Sequence, residues 1–163
     1  MAVVLVLIYL DNLRAVKKDA PGSRADLAHL AFLIDLVGFY FLSAFAFGIR
    51  LFYSVPALLL AAAIAAGGVF VSFGSFRRVG IEQARFRVAI VFLALLTAEL
   101  YLVLAYLPVS HLVDAAVMTV LFTAVLQAMR QVLTGVATPA NLRRELAFSV
   151  ILAAVLLATA RWL

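Results

Sequence analysis

Cysteine is absent from the 163 residues. Its absence excludes disulfides, thiolate metal sites and cysteine nucleophiles together, and says nothing about redox compartment. Charge is scarce as well. Only 13% of the residues are Asp, Glu, Lys or Arg, where a soluble globular domain carries about 25%. Histidine occurs twice, at His29 and His111, too few for a histidine-rich metal cluster. Phosphate loops and dinucleotide fingerprints are missing. Ser75, in Phe73-Gly74-Ser75-Phe76, lacks the framing glycines of a nucleophile elbow. These absences describe a chain that is not an enzyme, needs no cofactor or metal, and has no nucleic-acid partner.

What is present is hydrocarbon. Hydrophobic residues make up 67% of the chain, and the mean hydropathy is +1.19. A bilayer span takes about 20 mostly apolar residues. Five stretches qualify, at about 27–49, 55–73, 86–107, 109–129 and 144–163. The expected fold is therefore all-α: a polytopic transmembrane helix bundle, 1–163 forming a single membrane domain in the lipid bilayer. Residues 1–10 are wholly apolar too, but ten helical residues reach about 15 Å and cannot cross about 30 Å of hydrocarbon. With no basic n-region and no small-residue cleavage site, this segment does not read as a signal peptide. It reads as the cytoplasmic half of a span whose beginning is missing, or as a short interfacial segment.

The connections carry the charge, and carry it unevenly. Arg14, Lys17, Lys18 and Arg24 precede the first span, Arg77, Arg78, Arg85 and Arg87 lie between the second and third, and Arg130, Arg143 and Arg144 lie between the fourth and fifth. These eleven fall on one face of the membrane, and Arg50 and Arg161 fall on the other. Cytoplasmic loops retain Lys and Arg. The segments near 11–26, 74–87 and 130–143 are thus expected in the cytoplasm, with the C-terminus outside. The same assignment puts Tyr53, Tyr106 and Trp162 at the outer interface, where amphipathic aromatics prefer to sit. The net charge of +5 is explained by this placement. Arg77, Arg78, Arg85 and Arg87 are also candidate contacts for anionic lipid headgroups.

Local punctuation marks the helix ends. Ser23 with Asp26 resembles a capping box after the Pro21-Gly22 turn. Ser54 with Pro56 suits the start of the second helix, and Thr138-Pro139 suits N-cap and first position of the last. Leu107-Pro108-Val109-Ser110 allows only a tight hairpin between antiparallel helices. Small residues set close packing in lipid. Ala63/Gly67, Ala44/Gly48 and Ala154/Ala158 offer it, and the second helix, richest in them, is expected at the centre of the bundle. A homodimer seam through the same motif is the functional alternative.

Polar groups inside the spans are the candidate sites, because a charge at the bilayer centre costs at least about 2.5–3.5 kcal/mol. Glu99 falls near the middle of the third span, with Tyr106 seven residues on and on the same helical face. It is a candidate proton or cation site, or an anchor for a buried ligand. Its structural reading is a hydrogen bond that holds helix register. Asp35 lies about 9 Å inside the first span, with Gly38 one turn away. Asp114 and His111, three apart near the start of the fourth span, can meet as a proton relay. The same pair also suits a helix start, where an acid favours the positive end of the dipole. Counted from Pro108, Glu99 and Asp114 differ in depth by only about 4–5 Å, so the hairpin can bring them together. Thr119, Thr123 and Gln127 form a stripe whose hydroxyls are expected to bond back to their own helix.

Leu96-Thr97-Ala98-Glu99-Leu100, Leu107-Pro108-Val109, Arg143-Arg144-Glu145 and the closing Ala158-Thr159-Ala160-Arg161-Trp162 resemble a family of small uncharacterised bacterial inner-membrane proteins. The resemblance runs from about Tyr9 to Trp162. It implies a polytopic bundle with further spans upstream of this chain, and it carries no catalytic residue across. Two functions follow from the residues. One is a non-enzymatic subunit or scaffold that packs with other membrane proteins, lipids or a second copy. The other is a small transporter or proton-coupled channel that uses Glu99, with Asp114 and His111 as its outer gate.

Overall fold

The computed structural model describes the backbone of residues 21–53 and 55–160, and the side chains of 30–53, 55–82 and 86–160. Residues 1–10, Trp162 and the side chains of Ser23, Asp26 and Arg85 lie outside the described residues. The expectations for the N-terminal segment, the outer tryptophan and the first capping box fall there with them. Apart from an isolated bridge residue at Val109, the described secondary structure is helical: α1 Pro21–Phe52, α2 Ala57–Arg78, α3 Gln83–Leu104, α4 His111–Thr134 and α5 Pro139–Thr159. Four segments are long and apolar enough to cross a bilayer: Leu30–Phe52, Ala57–Arg78, Phe86–Leu104 and His111–Thr134. In α5, Arg143, Arg144 and Glu145 occupy the second turn, so the apolar stretch within the helix begins only at Leu146.

The chain divides into two compact units, Met1–Asp35 and Leu36–Leu163. The described part of the first is the opening of α1. Pro21, Gly22 and Ser23 are already helical, so the turn expected at Pro21-Gly22 is absent. Proline is tolerated in a first turn, where its missing N–H costs no hydrogen bond.

The helix ends of the second unit follow backbone chemistry. Pro56 stands just before α2 in an extended conformation, φ −55° and ψ 126°. Gly80 and Gly135 take φ of 75° and 73°, a left-handed conformation that side chains oppose. At the second of these, the Val136 N–H reaches back to the Gln131 carbonyl at 3.1 Å and closes the end of α4. Thr138 caps α5 as expected, its hydroxyl accepting from the Asn141 N–H, with Pro139 in the first turn. Helix α3 stops at Leu104 and α4 starts at His111, which makes the expected hairpin around Pro108.

Each inward face is a stripe at helical spacing. On α3 it is Phe86, Ala89, Leu93, Thr97, Tyr101 and Leu104. On α2 it includes Ala61, Ile64, Gly68, Ser72 and Phe76. Helix α2 packs on α3, α3 on α4, and α4 on both α5 and α2. Consistent with three neighbours, α4 has 44% of its apolar window buried, against 28% for each of the other three long helices. The centre is therefore α4, and the expectation of α2 is corrected. Small residues bring α2 close to one neighbour, but a helix needs buried residues on two faces to sit in the middle. Helix α1 docks through larger groups: Phe39 stacks on Phe122 with ring centroids 4.3 Å apart, and Phe47 stacks on Tyr101 at 4.6 Å.

Candidate functional site

Part of the polar interior is satisfied within single helices, while the buried hydroxyls of Ser43 and Ser75 have no hydrogen-bond partner among the described residues. Ser72 donates to the Gly68 carbonyl at 2.7 Å, Thr97 to Leu93 at 2.5 Å, Thr119 to Ala115 at 2.7 Å and Thr123 to Thr119 at 2.7 Å. The expected back-bonding of the α4 threonine stripe is present. A hydroxyl that shares a carbonyl already used by the helix adds no demand on its neighbours. Gln127, at the end of that stripe, instead accepts from Arg130 at 3.4 Å.

Asp114 behaves differently. Its residue is 4% exposed, and its Oδ1 has no hydrogen-bond partner among the described residues. Position follows from the chain: Ser110 precedes α4, and the Asp114 N–H bonds to the Ser110 carbonyl at 3.1 Å, which sets the carboxylate in the first turn. Arg50 stands in the last turn of α1 and acts electrostatically on both Asp114 and Tyr101. One nitrogen of its guanidinium is also buried with no hydrogen-bond partner among the described residues. The guanidinium lies over the Tyr106 ring, 4.4 Å from the centroid. An arginine so placed is attracted to the ring face and anchored there.

Arg50, His111 and Asp114 line one cavity of about 190 Å³ together with apolar residues that include Phe47, Leu51 and Leu107. The His111 ring packs against α1, its Cδ2 3.8 Å from where a Cβ on Gly48 would stand. Behind it, Tyr101 is fully buried and donates to the Ala46 carbonyl at 3.4 Å. The cavity sits where α1 and α3 end and α4 begins. It offers opposite charges on neighbouring helices and one imidazole, with polar and apolar groups sharing the lining about equally. Arg50 was visible in the sequence only as one of the two bases, with Arg161, on the basic-poor side. Its position two residues after Gly48, on the last turn of an apolar helix, was the available signal.

The other sequence candidates are dispersed. Glu99 is exposed, on a stripe of α3 with Val88, Phe92, Leu95 and Val103. Tyr106 lies two residues beyond the end of α3, so the helical spacing that would put it on the same face does not reach it. Asp114 is not brought to Glu99: Thr97 and Tyr101, two residues either side of it, are the ones turned inward. Because α3 ends at Leu104, Glu99 stands five residues from the helix end, nearer to it than the expected mid-span position. Asp35 is half-buried on α1 in the first unit. At the opposite end of the bundle Arg77, Arg78 and Arg87 are exposed. Arg78 lies close enough to Arg130 to repel it. That end also holds the Gln131 amide donating to the Glu145 carboxylate at 2.5 Å. Among the described residues no group of three or more His, Cys, Asp or Glu side chains can hold a metal ion.

Compared with protein-family models, with curated proteins and with solved structures, the chain matches none. The site is read from its own chemistry.

Proposed function

We propose that the protein is a non-enzymatic, multi-pass subunit of the cell membrane that packs against another membrane protein. The exposed carboxylate of Glu99 carries this reading. It stands about 8 Å inside the end of α3, and helical side chains lean toward the N-terminus, which here is deeper into the hydrocarbon. Leu95 and Val103, one turn below and above, are 62% and 64% exposed. An acid in so apolar a stripe is costly against lipid, and a donor or cation from a partner helix would offset that cost. A transport role would put the carboxylate inside a watered path, and an exposed stripe does not favour it.

The orientation proposed has the Arg78 and Arg130 end in the cytoplasm and the Tyr53 and Tyr106 end outside. Helix α5 is the fifth span in this reading. Its 21 residues reach about 32 Å, and Arg143 and Arg144 extend their stems toward the headgroups. The kinship with small bacterial inner-membrane proteins belongs to the same reading.

The test is mild-detergent affinity purification from native membranes followed by native mass spectrometry. A stoichiometric membrane-protein partner is expected with the wild type and with Glu99→Gln, which keeps the hydrogen bonds, and is lost with Glu99→Leu. Recovery of the wild type alone overturns the subunit reading.

A further inference from the structure

We propose that the cavity between Arg50 and Asp114 binds a small zwitterion, one ammonium group and one phosphate or carboxylate on a short linker. The chemistry fits the headgroup of phosphatidylethanolamine and a free solute the size of a small α-amino acid alike. Three observations carry it.

The first is a pair of orphaned hydrogen-bonding atoms. A guanidinium nitrogen of Arg50 and Oδ1 of Asp114 are both buried without a hydrogen-bond partner among the described residues, although both residues line the same space. Leaving a buried donor or acceptor without a hydrogen bond is costly. Each is also held on its own wall. Arg50 is held over Tyr106, and Asp114 by the first turn of α4. A ligand that reaches from one wall to the other satisfies both.

The second is charge balance. With Asp114 ionised, Arg50 and Asp114 together are neutral, so a lone anion or a lone cation would leave one of them unmet and add net charge to a site whose walls include Phe47, Leu51 and Leu107. A zwitterion brings none. Its anionic end matches the planar donor fork of Arg50, its ammonium matches the Asp114 carboxylate, and His111 is a third polar contact.

The third is size and place. A volume of about 190 Å³ lies below the roughly 300–1,000 Å³ of pockets for drug-sized ligands, and equals about six waters at roughly 30 Å³ each. The cavity opens among helix ends, beside Leu51 and Tyr106, which are 62% and 74% exposed. In a membrane that is headgroup depth. This last point rests on the spanning reading given above, but not on a partner at Glu99.

The test uses the 163-residue chain alone. In nanodiscs of phosphatidylethanolamine, phosphatidylglycerol and phosphatidylcholine, native mass spectrometry during stepwise delipidation is expected to show one phosphatidylethanolamine retained per chain. Asp114→Asn and Arg50→Gln should each weaken that retention about tenfold. In lipid-free detergent, calorimetry with glycine and L-alanine probes the free-solute source. One-to-one binding there, weakened by the same variants, supports the same chemistry from the other source. Equal retention of the three lipids by the wild type, with no binding of either amino acid, overturns the proposal, and needs no variant to fold. Failure to enter nanodiscs at all would instead count against the membrane reading.

Discussion

A Cβ placed on Gly68 of α2 would stand 3.1 Å from the Thr97 hydroxyl and 3.2 Å from its methyl group, with the Phe122 ring at 3.3 Å. None of these neighbours can retreat easily. Thr97 is tied to the Leu93 carbonyl, and Phe122 is stacked on Phe39. Gly68→Ala should therefore lower stability by about 1–2 kcal/mol, overpacking outweighing the roughly 1 kcal/mol of helix propensity that alanine gains. Gly67→Ala is the control. Its Cβ would meet only the end of Leu42, a side chain 37% exposed and free to turn aside, so stability should not fall. Unfolding in detergent, followed by circular dichroism, checks both.

The docking of α1 depends on rings more than on close backbone approach. Phe39 is 2% exposed against Phe122. Phe39→Ala should cost about 3–5 kcal/mol and make the 36–52 part of α1 the first to exchange its amide protons. Hydrogen–deuterium exchange resolved by peptide measures that directly.

Thr119 and Thr123 give the opposite result. Each hydroxyl bonds only to a carbonyl of its own helix, so Thr119→Val and Thr123→Val leave no group unpaired. Both should change stability by less than about 1 kcal/mol, in the same detergent unfolding experiment.

With no native cysteine, single cysteines report sidedness without background. Val79→Cys and Val136→Cys, in the connections after α2 and α4, should react with a membrane-impermeant maleimide only from the cytoplasmic face. Tyr53→Cys should react only from outside. Labelling of all three from one side would contradict the alternating topology.

Helix number and the breaks at Pro56, Pro108 and Thr138-Pro139 were legible in the sequence, because hydrocarbon length and proline are one-dimensional signals. The start of α1 was not, since Pro21 fits a first helical turn as well as a loop. Nor was rotation about each axis. Ala63 and Gly67 suggested one packing face for α2, yet Ala61, Ile64 and Gly68 are the buried set and Ala63 is exposed. Helices that are apolar all round show no moment to say which side turns in. The same ambiguity separated Glu99 from Asp114. Counting along the hairpin fixes no rotation: two residues along a helix turn it by about 200°, and Thr97 and Tyr101 took the inner face. Arg50 was missed for another reason. Counting it as a topology charge left no reason to ask what its guanidinium met.

Photo-cross-linking from the Glu99 stripe tests the central claim most directly. With a diazirine side chain at Leu95 or Val103, irradiation of native membranes should join the chain to one membrane protein. The same probe at Phe148 of α5, 67% exposed, should give lipid adducts alone. Lipid adducts alone from Leu95 and Val103 as well would contradict a partner on that face.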